Sequence, residues 1–170
     1  GLEYGGTFEG AYLLRRALFM PWELDQFLDR DLIREGLRDL VTEGSLRQTV
    51  RDVPDDRLRV SFLEMEWYMR GQLLRDADWA SMHHSLEIRT PFLDRNFFDT
   101  LLPLLMQKTS LFKNDLAGTP AKALPTRVVQ RRKTGFTTPV NRWIQEMMGS
   151  KLVKHERGSR NWAKVVYDRF

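Results

Sequence analysis

Apolar positions along this chain return at steps of three and four, so the dominant period is helical. The clearest stretch is Leu58, Phe62, Met65, Met69 and Leu73, which puts one apolar stripe on a helix starting after Pro54-Asp55. Asp55 is the expected N-cap, because its short carboxylate can accept from the free N–H groups of the first turn. Pro21 suits the first turn of a helix carrying Trp22, Leu24 and Phe27-Leu28. A further helix from about Asp31 to Val41 carries Leu32, Ile33, Leu37 and Leu40, and Gly44 either ends it or begins the next. Asp94 is placed to cap a helix with Phe97, Phe98, Leu101, Leu102 and Leu105, and Thr138-Pro139 begins another that runs through Met148. Alternation of the strand kind is scarce, so the pattern predicts a mainly α-helical chain. Its most loop-like stretches are Lys108 to Pro120 and Lys151 to Ser159, and no repeat or low-complexity tract interrupts it.

Composition agrees with a folded domain rather than a tail: 42% of the 170 residues are apolar and 29% charged, close to globular averages. There is no cysteine, which removes disulfides and thiolate metal sites, and no apolar run approaches the length of a membrane span. A cytoplasmic setting is the expectation. The net charge of +4 raises nucleic-acid binding as a rival reading. Its distribution argues against that reading, since arginines are interleaved with acids, as in Asp29-Arg30-Asp31, and only Arg127 to Lys133 is a concentrated cationic run. His83-His84 are adjacent, so on a helix they point about 100° apart and are poorly placed to share a metal ion. Trp67-Tyr68-Met69 reads as core at helical spacing.

Two blocks have no packing explanation. Ser85-Leu-Glu87-Ile-Arg89-Thr-Pro91-Phe92-Leu-Asp94 sets Glu87 and Arg89 just before a proline, which pushes the preceding residue out of the helical region and leaves the pair on extended chain at a helix end. The spacing of Glu87, Arg89 and Asp94 suggests a charge-paired hub, with Arg89 able to fork onto a carboxylate. In Arg131-Arg132-Lys133-Thr-Gly135-Phe136, a cationic run ends at a glycine that can turn the chain and present a lysine. Ser81 and Ser85 either line a site or cap local helix ends, and capping is the plainer reading.

The longer pattern resembles the C-terminal synthetase half of the glutamine-dependent asparagine synthase family. Asp78, Ser81-Met82, Ser85-Leu-Glu87, Arg89 and Pro91-Phe-Leu-Asp94 match one run of that family in order and spacing. Leu124-Pro125, Lys133-Thr-Gly135-Phe136, Pro139 and Trp143 match a second, and the opening Ala11 to Arg16 with Pro21 to Leu24 is similar to bacterial members. The resemblance implies the C-terminal helical part of an α/β synthetase domain of the adenine-nucleotide alpha-hydrolase, or PP-loop ATP pyrophosphatase, kind. It implies an ATP-dependent ligase that activates a carboxylate as acyl-adenylate for attack by ammonia, with Mg2+ and ATP as cofactors of the intact enzyme and none bound by this part alone. Aspartate or a similar acid, ammonia from glutamine, and upstream nucleotide-binding and glutaminase domains are the implied partners.

The same resemblance makes Lys133 the catalytic candidate, facing charge that grows on the phosphates, with Arg132 and Asp78 as phosphate or substrate contacts. Glu87, Arg89, Asp94 and Gly135 then shape the site. For Asp78 and Glu87 the residue type leaves three uses open: holding Mg2+, accepting the ammonium proton, or clamping an arginine. The family's Ser-Gly-Gly-x-Asp-Ser loop does not occur; the only glycine pair, Gly5-Gly6, reads as a turn. Nor is there a cysteine to serve as the glutaminase nucleophile. Residues 1–170 are therefore expected to be one helical C-terminal piece of a longer enzyme. A related synthetase of the β-lactam or carbapenam type, acting on another acid, remains an alternative, as does a basic helical interaction or nucleic-acid-binding module.

Overall fold

In the computed structural model the described residues are 2–107, 115, 117–132, 139–148 and 158–169; among them helices carry the fold and no strand occurs. They fall into two compact units, Gly1–Arg75 with Thr138–Phe170, and Asp76–Thr137.

The first unit opens with α1 (Leu2–Gly5) and α2 (Phe8–Arg16). Thr7 caps α2, its Oγ1 accepting from the Gly10 N–H at 3.1 Å. Gly10 lets the two helices meet: a Cβ there would run into the Tyr4 carbonyl oxygen and its neighbouring backbone, so no other residue fits without moving α1. Pro21–Gln26 forms a 3-10 turn rather than the α-helix the pattern suggests. Pro21 takes its first position, and the Glu23 carboxylate reaches back to the Met20 N–H at 2.8 Å. Phe27 and Leu28 lie beyond it.

α3 (Arg30–Leu40) starts at Asp29, whose Oδ1 accepts from Asp31 N at 2.8 Å. It is joined to α4 (Thr42–Val50) by Val41 alone, in left-handed backbone at φ 43°, ψ 39°. Gly44 therefore begins the second of these helices rather than ending the first. α5 (Asp56–Leu63) starts at Asp55, as the sequence predicts, with Oδ1 accepting from Leu58 N at 2.9 Å. The core of the unit gathers Tyr12, Leu46, Val50 and Leu63, with Phe8 and Leu13 packed against them. These residues come from α2, α4 and α5, and burial of leucines such as Leu46 and Leu63, each 1% exposed, is the main stabilising term.

From Glu64 to Leu74 the chain winds as a π-helix. Leu58 and Phe62, on α5, are buried and half-buried; the wider turn then changes the register of the apolar stripe, so Met65 and Met69 are half-buried and Leu73 stands 46% exposed. Trp67-Tyr68-Met69 is correspondingly not core. Trp67 is 37% exposed and donates from Nε1 to Thr49 Oγ1 at 3.1 Å, while Tyr68 lies under the Arg16 guanidinium, 3.6 Å from its ring centre. Arg16 also forks onto Glu64, with Nε at 2.9 Å from Oε1 and Nη2 on Oε2.

Two later helices complete this unit, α9 (Val140–Met148) and α10 (Gly158–Tyr167), which pack on each other and bury Ile144 and Val165. The Trp143 N–H bonds the Pro139 carbonyl at 3.1 Å, so the helix begins where Pro139 predicts; Thr138 lies outside the described residues. Arg160 on α10 forks onto Glu23 at 2.7 and 2.9 Å and sits 5.0 Å over the Phe19 ring. Phe27 bridges Phe19, in a tilted contact at 4.7 Å, and Tyr167, in an edge contact at 6.2 Å.

The second unit carries α6 (Arg75–Met82), a 3-10 turn at Pro91–Leu93, α7 (Arg95–Met106) and the short α8 (Thr126–Val129). Asp94 caps α7 by accepting from the Phe97 N–H at 3.1 Å. Phe97, Phe98, Leu101, Leu102 and Leu105 of that helix are half-buried.

Candidate functional site

The sequence-predicted site residues that are described, Asp78, Glu87, Arg89, Asp94 and Arg132, all belong to the second unit. α6 presents Asp78 in its first turn with the carboxylate exposed, and the Asp78 carbonyl accepts from the buried Ser81 hydroxyl at 3.1 Å. The helix then stops abruptly. Ser85 takes left-handed backbone at φ 56°, its N–H bonds the Met82 carbonyl at 2.9 Å, and the Leu86 N–H reaches back to Ser81 at 3.0 Å. That pair of bonds is a Schellman termination, with Ser85 where glycine is usual. Both serines thus serve the helix end.

From Leu86 the chain runs extended to Pro91, which puts Glu87 and Arg89 on the same side two residues apart. Arg89 Nε meets Glu87 Oε1 at 3.0 Å, and both side chains are mostly in water. Asp94 faces the first turn of α7. The structure therefore joins Glu87 to Arg89 and turns Asp94 to helix capping. Beyond α8 the Arg131 N–H bonds the Val128 carbonyl at 3.4 Å, and Arg131 and Arg132 are exposed. Lys133, Gly135 and Phe136 lie outside the described residues. The segment offers exposed carboxylates and cations suited to contact charged, phosphate-bearing molecules. Around it stand Trp79, Met82, Leu86, Ile88 and Phe92, each between 55% and 67% exposed. So dense a run of open apolar side chains is unusual for a finished surface.

Sequence reasoning missed a second constellation, in the first unit. Arg16, Glu64 and Tyr68 form one cluster, and Glu9, 7% exposed, takes Arg47 Nε at 2.7 Å. Burial works to raise the Glu9 carboxyl; the hydrogen bond from Arg47, its own backbone N–H and the Arg47 charge outweigh this and hold it below the ordinary carboxylate range. The Glu64 hydrogen bond raises the Arg16 guanidinium above its usual value. The Arg15-Arg16 pair was the only signal in the sequence, and nothing local named its partner, 48 residues away. Among the described residues no group of histidine, aspartate and glutamate side chains is placed to hold a metal ion by itself, and His83 and His84 meet edge to face at 5.0 Å.

The family model for asparagine synthase matches residues 8–165, nearly the whole chain. The chain belongs to the asparagine synthase family. It is 32% identical over 93 residues to asparagine synthetase (glutamine-hydrolyzing) 1 of Bacillus subtilis (strain 168), a stretch covering 53% of this chain and 15% of that protein. A putative asparagine synthetase (glutamine-hydrolyzing) of Mycobacterium bovis is 32% identical over 94 residues, 54% of this chain and 14% of its own length. Its counterpart in Mycobacterium tuberculosis (strain CDC 1551 / Oshkosh) matches to the same extent. The match thus spans about a seventh of the length of these relatives. No solved structure matches the chain.

Proposed function

We propose that this chain is the helical C-terminal part of an ATP-dependent amide-forming ligase, its nucleotide-binding loop and glutaminase domain lying in a longer polypeptide with an α/β synthetase fold. The observation that carries the reading is the family match across residues 8–165. The open apolar surface around Leu86, Ile88 and Phe92 supports it, being a face suited to burial under the nucleotide-binding half. In this reading the enzyme acts in the cytoplasm and joins ammonia, released from glutamine, to aspartate or a similar acid.

The chemistry follows from charge. A carboxylate oxygen attacks the α-phosphorus of ATP, the bond to pyrophosphate breaks, and an acyl-adenylate forms. Ammonia then adds to the acyl carbon, loses a proton and expels AMP. Negative charge grows on the departing pyrophosphate, so Lys133, with Arg132 as a second phosphate contact, stabilises the transition state. Mg2+ is commonly held by one or two carboxylates together with substrate phosphates, and the exposed Asp78 is of the right kind to supply one. Glu87 and Arg89, fixed on each other, brace the extended segment beside the phosphates.

The test uses the intact enzyme and exchange of labelled pyrophosphate into ATP in the presence of the acid. Lys133→Ala is expected to slow exchange by about 100-fold while glutamine hydrolysis stays near its original rate. Lys133→Arg should restore part of the loss, because it keeps the charge and changes the donor geometry. Exchange unchanged in Lys133→Ala would remove the lysine from the reaction.

A further inference from the structure

A cavity of about 570 Å3 opens in the first unit, among α1, α2, the 3-10 turn, α3 and the start of α4. Its size falls in the range of small-molecule sites, and its walls are mainly apolar, among them Phe19, Leu24, Leu37 and Leu40. Leu37 and Leu40 remain 40% and 70% exposed, so a hydrocarbon body in the cavity would take open apolar surface out of water. The site is also preformed. The Gly10 contact seats α1 on α2, and Tyr4 in the cavity wall is held edge-on by Trp22 with ring centres 5.2 Å apart. Val41, another wall residue, holds left-handed backbone that a β-branched side chain disfavours. Strain of that kind collects at ligand sites, where the surroundings enforce it.

One edge of the cavity is polar, and Glu43 is the wall residue that carries charge there. Tyr4 and Glu43 both line that edge, and burial first, then Glu43 and Glu3, raise the tyrosine hydroxyl above its ordinary value. Arg47 also senses Glu43, but its Nε is committed to Glu9 at 2.7 Å. A carboxylate at the mouth of an apolar cavity favours a cationic head group over a neutral or anionic one. We propose that this cavity binds a small organic ammonium compound, its apolar body among Phe19, Leu24, Leu37 and Leu40 and its ammonium at Glu43 and the Tyr4 hydroxyl. The site lies in the first unit, and the inference does not depend on the proposed amide-forming activity.

Tryptamine and tryptophol make the test, because they share an indole and differ in carrying an ammonium or a hydroxyl. Both are titrated into the full 170-residue chain with the backbone amides followed by NMR. Tryptamine is expected to bind one to one, at least tenfold more tightly than tryptophol, and to shift the amides of Leu37, Leu40 and Glu43. Glu43→Gln should weaken tryptamine about tenfold and leave tryptophol unchanged. Leu37→Ala, at a half-open position that folding tolerates, should weaken both. Absence of saturable tryptamine binding would overturn the proposal. So would equal affinity for the two probes, or a Glu43→Gln variant that melts earlier yet binds tryptamine as before, which would make Glu43 a helix-start residue alone. Sedimentation showing a second copy of the chain seated on Leu37 and Leu40 would equally overturn it.

Discussion

Replacing Ser85 by glycine is expected to stabilise the second unit. Ser85 occupies the left-handed position of the Schellman turn at φ 56°, where an L-residue with a Cβ costs roughly 1–2 kcal/mol. Glycine removes that cost, but it also loosens the unfolded chain, which takes back about 0.4–1 kcal/mol. The difference leaves a net gain of about 0.8 kcal/mol, within a span of roughly 0–1.6 kcal/mol. The two bonds that define the turn, Ser85 N to Met82 O and Leu86 N to Ser81 O, use backbone atoms only and survive the change. Hydrogen exchange at those two amides, with urea unfolding of the same samples, reads the effect where it arises. Ser85→Gly should slow exchange at Leu86 and raise the unfolding midpoint, whereas Ser85→Ala, which keeps the Cβ, should do neither. A destabilised glycine variant would refute the assignment of strain and place the stabilising role in the serine hydroxyl.

Leu46→Ala removes a side chain that is 1% exposed in the first core and should cost about 3 kcal/mol by urea unfolding, within the range for buried leucines; a cost below about 1 kcal/mol would deny that core. Asp94→Ala should cost about 1 kcal/mol through the lost cap on α7, and Asp94→Asn, which still accepts from Phe97 N, should recover most of it in the same assay. Glu9 has a folded-state pKa held below its unfolded value, so its contribution is present above the ordinary carboxylate value of about 4.3 and lost as pH falls through the folded value. The stability gap between the native chain and Glu9→Gln should therefore be full near neutrality and shrink on acidification below that value; a gap independent of pH would contradict the Arg47 pairing. The 170-residue chain by itself should neither hydrolyse glutamine nor form an amide from ATP, aspartate and ammonia, and turnover by it would sink the reading that catalysis needs further domains.

What could be read in the sequence is what nearest neighbours decide. Asp55, Asp94 and Pro139 announced helix starts because a cap or a proline acts within a few residues of itself. The extended run through Glu87 and Arg89 followed from Pro91 in the same way. The π-helix was not legible, since Leu58 to Leu73 fits an α stripe until the turn widens after Leu63. Nor were Arg16 with Glu64 or Arg160 with Glu23, because many acids compete for an arginine until the fold chooses one. The motif segment could be located to the residue, but its exposure, with Asp78, Glu87 and Arg89 all open to water, depends on what packs around it.

The Glu23–Arg160 clamp has a consequence for how such a chain is made. Its two halves are 137 residues apart, and the whole of the second unit is inserted between them. At a synthesis rate of about 5–20 residues per second, Glu23 leaves the ribosome roughly 7–27 seconds before Arg160 does. Helices of the first unit form and collapse on that timescale many times over, yet Phe19 and Phe27 wait for α10 to cover them. During that interval the nascent chain shows an aromatic patch that any holding chaperone can read. Synthesis order thus makes closure of the first unit wait for α10, and a chain truncated before Arg160 would keep that patch open for good.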